Sequence, residues 1–272
     1  MRAVLSLCAV LCLVGLDAWA CPTCAAPRVE RTPTREFTLR GAIRSSFGND
    51  TVAGIDRWEQ RNEVSMGVAY GDGVLDLEVP ILFRSIGGES LAGPGDVTAR
   101  GSVEMLGPAA LGHKDWLRLL PTVIVSPGAS TRGYLWSLSS QAVTPQLGLG
   151  YRHSEELWAV TAVAFAAIPL ALEGATFTAG PTAGVGAAFE VMPWRWFSGR
   201  VALDFKQQWG ARDGSGLLND TQGTALFAGV EARVSPASQV SIAAAFTQPL
   251  FTVSPGAYAY GRVYRLGLEL AL

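Results

Sequence analysis

The chain has 272 residues, of which 49% are hydrophobic and only 16% charged, and its net charge is close to zero at -2. The near-neutral balance suggests neither nucleic acid nor an acidic surface as a partner. A transmembrane helix needs about 20 consecutive apolar residues, and no such run follows the N-terminal stretch. The apolar residues are therefore dispersed by alternation, which is typical of a membrane β-barrel.

The N-terminal stretch has the pattern of a secretory signal peptide. Arg2 precedes the apolar run Ala3–Leu16, and Ala18 and Ala20 form a small-residue cleavage site. The apolar run is too short for a membrane anchor. We therefore expect three segments: a signal peptide over residues 1–20, a polar periplasmic lead-in over residues 21–36, and an outer-membrane β-barrel over residues 37–272.

Two cysteines would stand at the start of the exported chain, Cys21 and Cys24, in a C-x-x-C arrangement. A local disulfide suits an oxidising compartment. A lipid-modified Cys21 is the second reading, although Trp19 is unusual in a lipoprotein signal. Metal or redox chemistry is the third reading, but two thiolates make only half of a structural zinc site. Haem attachment is excluded because Ala25 stands where C-x-x-C-H needs a histidine.

From Phe37 to the end, segments of alternating polarity predict about twelve strands of a transmembrane antiparallel up-and-down barrel. Strands of roughly ten residues are long enough to cross a membrane at a tilt. The seventh is apolar on both faces, so the sequence does not orient it. The predicted strands are Phe37–Phe47, Glu63–Tyr70, Leu75–Arg84, Asp96–Leu106, Trp116–Ser126, Val143–Arg152, Leu157–Ile168, Thr176–Val191, Phe197–Trp209, Leu226–Arg233, Val240–Leu250 and Tyr258–Leu272.

The last of these strands shows the pattern most clearly. Leu266, Leu268 and Leu270 share one face, whereas Arg265 and Glu269 share the other. In a membrane barrel the first face meets lipid and the second lines the lumen. This strand must pair with the first strand, since an open sheet edge in lipid leaves backbone groups without hydrogen bonds. It also resembles the C-terminal signal read by the outer-membrane insertion machinery.

The connections alternate in length, which is the asymmetry expected of periplasmic turns and external loops. An even strand number then returns both termini to the periplasm. The predicted turns are Gly71–Gly73, His153–Glu155, Met192–Trp194 and Ser235–Ser238, and the predicted loops are Gly48–Asp56, Ser85–Gly95, Pro127–Ser139 and Gly210–Asn219.

Aromatic residues near strand ends predict the two interfacial girdles of a membrane barrel. A soluble barrel or sandwich is the competing fold, but it would have shorter strands and would turn its charged face toward water. The predicted girdle residues are Trp58, Tyr70, Trp116, Tyr151, Trp194, Trp209, Tyr258 and Tyr260.

One segment resembles a known family. Gly93-Pro94-Gly95-Asp96 opens an alternating strand, and this looks like the G-x-G-D segment of a bacterial outer-membrane family named for the phenol meta-cleavage pathway. The resemblance extends over about Gly93–Tyr151. It implies a transporter of apolar or aromatic small molecules that is related to the outer-membrane fatty-acid channels, with no catalytic residues to carry over.

The charged residues of the strands fall on the face opposite the apolar set, and we predict that they line the lumen. They would either pair across strands and fill the interior or form a polar path for a solute. A twelve-stranded barrel is roughly 24 Å across its backbone and leaves on the order of 14 Å between side chains. The candidates are Arg40, Arg44, Glu63, Asp76, Glu78, Arg84, Arg100, Glu104, Arg118, Arg152, Glu190, Arg200, Asp204, Lys206, Glu231, Arg233, Arg265 and Glu269.

Three functions follow from such a barrel. The first is a channel for small solutes, whose partners are membrane lipid, the insertion machinery and the solute. The second is a structural or assembly barrel with a filled lumen. The third, a hydrolase, is weaker, since the chain has only His113 and His153 and both fall in turns on the predicted periplasmic side. We expect no catalysis, no cofactor, no metal and no nucleic acid.

Overall fold

The structure is a computed structural model, and it describes residues 37–52, 55–71, 73–111, 114–127, 138, 140–213, 216–218, 222–237, 239–253 and 261–271. The predicted signal peptide, the lead-in with Cys21 and Cys24, His113, Tyr258, Tyr260 and Leu272 lie outside these residues. Within the described ranges, no helix is long and apolar enough to cross a membrane.

The described chain is almost entirely β-structure, because alternating polarity recurs through it with turn residues between the segments. One helical turn, α1, covers Pro108–Leu111. The strands are β1 Thr38–Val52, β2 Ile55–Tyr70, β3 Gly73–Ile86, β4 Glu89–Pro94, β5 Val97–Leu106, β6 Asp115–Val125, β7 Ala142–Ser154, β8 Trp158–Ala167, β9 Leu170–Ala171, β10 Phe177–Thr178, β11 Thr182–Trp194, β12 Phe197–Gln208, β13 Ala211–Asp213, β14 Gly216–Leu218, β15 Gly223–Ala237, β16 Val240–Val253 and β17 Val263–Ala271.

Twelve of these strands close into one antiparallel barrel, as the sequence predicts. The order around the barrel is β1, β2, β3, β5, β6, β7, β8, β11, β12, β15, β16, β17 and back to β1. β17 closes the barrel on β1, in register from Arg40 opposite Ala271 to Gly48 opposite Val263. β8 therefore lies six strands from β1 in either direction, on the opposite wall.

Burial follows the period-2 alternation of the strands. On β3, Leu77, Val79 and Ile81 are 43–51% exposed on the outside, whereas Glu78 and Leu82 are 3% exposed on the inside. The outer surface of the barrel is consequently a broad apolar belt that suits lipid, and the interior carries the charges. The structure also orients the seventh predicted strand, β8: Val163 and Ala167 are buried inside, and alternate residues face outward.

Two predicted loops are wrong because strands continue through them. Gly48–Asp56 was predicted as a loop, but β1 and β2 stay paired as far as Val52 opposite Ile55. The alternation of this stretch is hard to recognise because its residues are mostly polar on both faces. They are polar because the tip of the β1–β2 hairpin extends beyond the apolar belt. Ser85–Gly95 is likewise not a loop. The chain makes a tight turn at Gly87 and Gly88, both with positive φ, and then forms β4, which pairs with Ile81–Ile86 of β3.

The predicted loop Pro127–Ser139 lies almost entirely outside the described residues, and the remaining predicted loops and turns differ in smaller ways. Gly210–Asn219 contains β13 and β14, which form a small separate sheet with β10. The eighth predicted strand starts too early, because the chain runs through β10 before β11 begins. We call the end of the barrel that holds Thr38 and Gly71 the turn end, and the end that holds β10, β13 and β14 the loop end.

The aromatic belts are mostly as predicted. Trp58, Tyr70, Tyr151 and Trp194 are 39–68% exposed on the outer surface. Trp116 is the exception, since it pairs with Arg152 and shares its inward parity. It lies at the end of β6, where the sequence alone did not separate an interfacial aromatic from an inward one.

Candidate functional site

The site that the fold creates is the barrel lumen. The strand registers place the inner faces of neighbouring strands together, with Arg44 opposite Glu63, Asp76 opposite Arg100 and Glu190 opposite Arg200. By the same registers, all of the predicted lumen residues lie on the inner face: Arg40, Arg44, Glu63, Asp76, Glu78, Arg84, Arg100, Glu104, Arg118, Arg152, Glu190, Arg200, Asp204, Lys206, Glu231, Arg233, Arg265 and Glu269.

Sequence reasoning missed several inward charges near the loop end. Arg57, Glu59 and Arg61 alternate with outward residues on β2, and they continue the inward face of Glu63. The signal was present, but the strand was predicted to begin only at Glu63. Asp96 was placed on a strand yet left out of the lumen set, and its carboxylate accepts hydrogen bonds at 3.0 Å from the backbone N–H of Ser140.

A cavity of about 710 Å³ runs inside the barrel. Its walls include Thr38 and Ser235 near the turn end and Gln208 and Gly180 near the loop end, so the space follows the barrel axis past most of the strand length. Predicted residues that border the cavity are Arg40, Arg44, Glu63, Asp76, Glu78, Arg100, Arg200, Lys206, Glu231, Arg233, Arg265 and Glu269, and those inside the barrel but away from it are Arg84, Glu104, Arg118, Arg152, Glu190 and Asp204.

Glu78 is the centre of the charged part of this cavity. Its carboxylate lies 2.7 Å from the guanidinium of Arg100, 3.6 Å from that of Arg61 and 3.8 Å from that of Arg44. These arginines come from β5, β2 and β1 and converge on β3. Arg61 also pairs with Glu63. One buried carboxylate is therefore shared among cations from several strands, which offsets the cost of removing it from water.

The network continues across the seam where the barrel closes. Glu269 on β17 lies 3.7 Å from Arg44 and forms a bidentate pair with Arg233 on β15, whose second hydrogen bond is 3.1 Å long. Arg233 also lies 3.5 Å from Glu231. Linked charges thus extend from β15 through β17, β1 and β2 to β3 and β5. We call those inward charges from β12 round to β5 that border the cavity the charged arc.

Other inward pairs brace the wall outside the cavity. Arg84 and Glu59 form a buried pair between β3 and β2. Arg152 lies 3.3 Å from Glu190, which joins β7 to β11 across the inner face of β8. Arg118 donates a hydrogen bond to Ser102 at 3.0 Å. These pairs fill the interior where they lie, as expected for a barrel with a filled lumen. The charged arc, in contrast, borders the cavity.

The side opposite the charged arc combines apolar residues with the polar side chains of Thr122, Thr144, Gln146 and Thr182. The described cavity-lining residues of β6, β7, β8 and β11 are uncharged. We call the apolar residues among them and their backing glycines the apolar wall: Leu120, Ile124, Gly148, Val163, Phe165, Ala167 and Gly184.

Glycines let the large side chains of the apolar wall lie flat. A Cβ atom on Gly184 would be 2.4 Å from a ring carbon of Phe165, so that ring occupies the place of the absent side chain. A Cβ atom on Gly148 would be 3.3 Å from the Cβ of Leu120. The bulk of Phe165 and Leu120 is thereby accommodated beside the wall, which leaves the middle of the lumen free.

The loop end of the cavity is held by a buried glutamine. Gln141 is fully buried and has a positive φ of 54°. Its side-chain oxygen accepts a hydrogen bond of 2.9 Å from the backbone N–H of Thr176. The contact ties the start of β7 to the segment between β8 and β11, which supplies Ala179 and Gly180 to the cavity wall.

His153, the described histidine, lies on the outside of the turn end. Its Nδ1 is 3.0 Å from Asp115, which also accepts a hydrogen bond from the Tyr151 hydroxyl, and its ring packs on Trp158 at 5.2 Å. The adjacent Ser154 faces the opposite side of β7, since successive side chains of a strand alternate. This geometry makes an anchored aromatic rim and keeps that hydroxyl away from the imidazole.

A closed barrel with an apolar outer belt, aromatic rims and a charged interior defines the class of protein: the chain has the fold of an outer-membrane β-barrel. No protein-family model matches it, and no curated protein is significantly similar to it. Its structure is similar to a crystal structure of an outer-membrane channel from Pseudomonas putida F1, with a TM-score of 0.74, 14% identity, and coverage of 90% of this chain and 98% of that chain. It is also similar to the translocator domain of the autotransporter NalP from Neisseria meningitidis, with a TM-score of 0.52, 11% identity, and coverage of 91% of each chain.

Proposed function

We propose that this protein is a channel for small solutes in the outer membrane of a Gram-negative-type bacterium, with both termini in the periplasm. The observation that carries the proposal is the cavity, which follows the barrel axis from Thr38 to Gln208 and is bordered by linked charges. A barrel whose inner face only served stability would close this space with paired side chains, as the Arg152–Glu190 region does.

Two further observations support the proposal. The first is the likeness in fold to the Pseudomonas putida channel over nearly the whole of both chains. The second is the resemblance of Gly93–Tyr151 to the family named for the phenol meta-cleavage pathway, which suggests an apolar or aromatic solute. Passage of a solute through such a lumen needs no bond chemistry from the protein, so we propose no catalytic residue and no cofactor.

The proposal is tested by reconstituting the purified protein, with its folding checked by heat-modifiable migration on gels, in planar lipid bilayers with KCl. We expect discrete single-channel current steps and uptake of small solutes into proteoliposomes. Folded barrels that give neither steps nor uptake would show a filled lumen, and they would support the structural or assembly role instead.

A further inference from the structure

The lumen has two chemically different sides, and they face each other. β8 carries Val163 and Phe165 and lies six strands from β1, which carries Arg44. All three residues border the same cavity. A solute in this space therefore has the apolar wall on one side and the charged arc on the other. The two sides have separate structural causes, namely the glycine-backed packing of Phe165 and the salt-bridge network around Glu78.

The charged arc has an excess of positive charge. Among the described residues that border the cavity, the cationic side chains are Arg40, Arg44, Arg61, Arg100, Arg200, Lys206, Arg233 and Arg265, and the acidic ones are Glu63, Asp76, Glu78, Asp96, Glu231 and Glu269. In a narrow space with low-dielectric walls, such an excess raises the local concentration of anions. The salt bridges do not remove this excess, because each pair cancels one charge of each sign and leaves the surplus of cations among the residues that border the cavity.

Apolar contact adds a second requirement. Phe165 is part-exposed on the inner face, and Val163 and Ala167 flank it on the same strand. Water beside this wall is released when an apolar group replaces it, and each methylene removed from water changes an equilibrium constant by about fourfold. A hydroxylated solute of equal charge does not gain this apolar term.

We propose that the lumen selects small amphipathic anions, whose apolar part lies on the wall around Phe165 while the anionic group faces the charged arc. This inference rests on the proposed channel function and names its solute class. It also gives the two walls different roles: the arc sets the preferred sign of charge, and the apolar wall sets the preference among solutes of that sign.

The test compares permeability ratios, from reversal potentials, for hexanoate, gluconate and hexylammonium in protein that conducts KCl. Hexanoate and gluconate share one negative charge and six carbons, but only hexanoate has an apolar chain. We expect hexanoate to exceed gluconate by at least about fourfold beyond their ratio of free mobilities, and to exceed hexylammonium as well. Absence of KCl current would overturn the channel itself.

Matched variants locate the effect. Phe165→Leu and Phe165→Asn introduce side chains of similar shape and different polarity. We expect Phe165→Leu to keep the preference for hexanoate and Phe165→Asn to reduce it toward the mobility ratio, with KCl conductance similar in both. Normal KCl conductance with no hexanoate preference, or equal preference in both variants, would overturn the apolar wall as a binding face. A preference for hexylammonium over hexanoate would overturn the anionic half of the proposal.

Discussion

At the scale of single residues, Glu78 is the carboxylate on which three arginines of the lumen converge. It stands among Arg44, Arg61 and Arg100 and borders the cavity. Glu78→Gln removes one negative charge and keeps the shape of the side chain. We expect the reversal potential in a KCl gradient to move toward the chloride equilibrium potential, since the positive excess of the wall grows.

Glu59 provides the control for this prediction. It is also an inward, buried glutamate paired with an arginine, Arg84, but it does not border the cavity. Glu59→Gln is expected to leave the reversal potential nearly unchanged. A shift toward potassium selectivity in Glu78→Gln, or equal shifts in both variants, would show that Glu78 does not set the field along the path.

The pair Gly184 and Phe165 makes a second prediction at this scale. An alanine at Gly184 would meet the Phe165 ring, and we expect the ring to move from the wall into the lumen. We expect Gly184→Ala to lower single-channel conductance, Phe165→Ala to raise it, and Gly184→Ala to have little effect in the Phe165→Ala background.

The double variant distinguishes this ring from another contact. The added methyl group would also lie 2.8 Å from the backbone oxygen of Phe205. If conductance still falls on adding Gly184→Ala to Phe165→Ala, the backbone contact is responsible, and the ring does not control the width of the lumen.

The sequence predicts which of these residues face the lumen, but it does not predict which of them contact one another. The inward set, such as Arg100, Glu190 and Glu269, could be read from period-2 alternation, because one face of each strand meets lipid. The gathering of three arginines on Glu78 could not be read, since it depends on the registers between β1, β2, β3 and β5. Nor does alternation reveal that Phe165 lies over Gly184, because β8 is apolar on both faces.

At the scale of strands, alternation decides which substitutions a membrane barrel tolerates. Leu268 on β17 faces outward and pairs with Ile43 and Ile242 within the apolar belt. Leu268→Arg is expected to destabilise the barrel by about 2–4 kcal/mol, the cost of arginine on the lipid face near the bilayer midplane. The measurement is reversible denaturant unfolding in lipid vesicles.

Leu270 is the matched control, since it faces outward on the same strand but lies nearer the turn end. Leu270→Arg is expected to cost less, on the order of 1 kcal/mol, because its side chain reaches the interface. An equal loss of unfolding free energy in the two variants would show that Leu268 does not lie deeper in the bilayer than Leu270.

The strand predictions failed where polar segments stayed regular. β1 and β2 run through the polar stretch Gly48–Asp56 because each remains paired with the other. The residues of that stretch are polar because they extend beyond the apolar belt, although the two strands remain hydrogen-bonded there. The connection between β8 and β11, which contains β9 and β10, is longer than the sequence predicts. Its residues resemble strand residues, so part of it was included in the predicted eighth strand.

At the scale of the whole molecule, closure of the barrel at β1 and β17 is a specific geometric claim. Phe47 lies opposite Tyr264 across this seam. Directly opposed residues of an antiparallel pair have Cα atoms about 4.5–5.5 Å apart, which is within disulfide range. Phe47→Cys with Tyr264→Cys, in a chain with Cys21 and Cys24 replaced by serine, is expected to cross-link under mild oxidation.

A mismatched pair serves as its control. Phe47→Cys with Leu268→Cys places the thiols four residues out of register, so cross-linking is expected to be weak. Cross-linking of the mismatched pair in preference to the matched one would mean a different register, and it would move Arg265 and Glu269 relative to their partners.

The proposed solute path runs through this lumen, between the apolar wall and the charged arc. Val163 and Ala164 are neighbours on β8, one facing the cavity and the other facing outward. The most direct test labels Val163→Cys and Ala164→Cys, each in the background without Cys21 and Cys24, with a charged thiol reagent during bilayer recording. We predict a stepwise fall in conductance for Val163→Cys and none for Ala164→Cys. Unchanged conductance through fully labelled Val163→Cys would show that no solute path passes this wall.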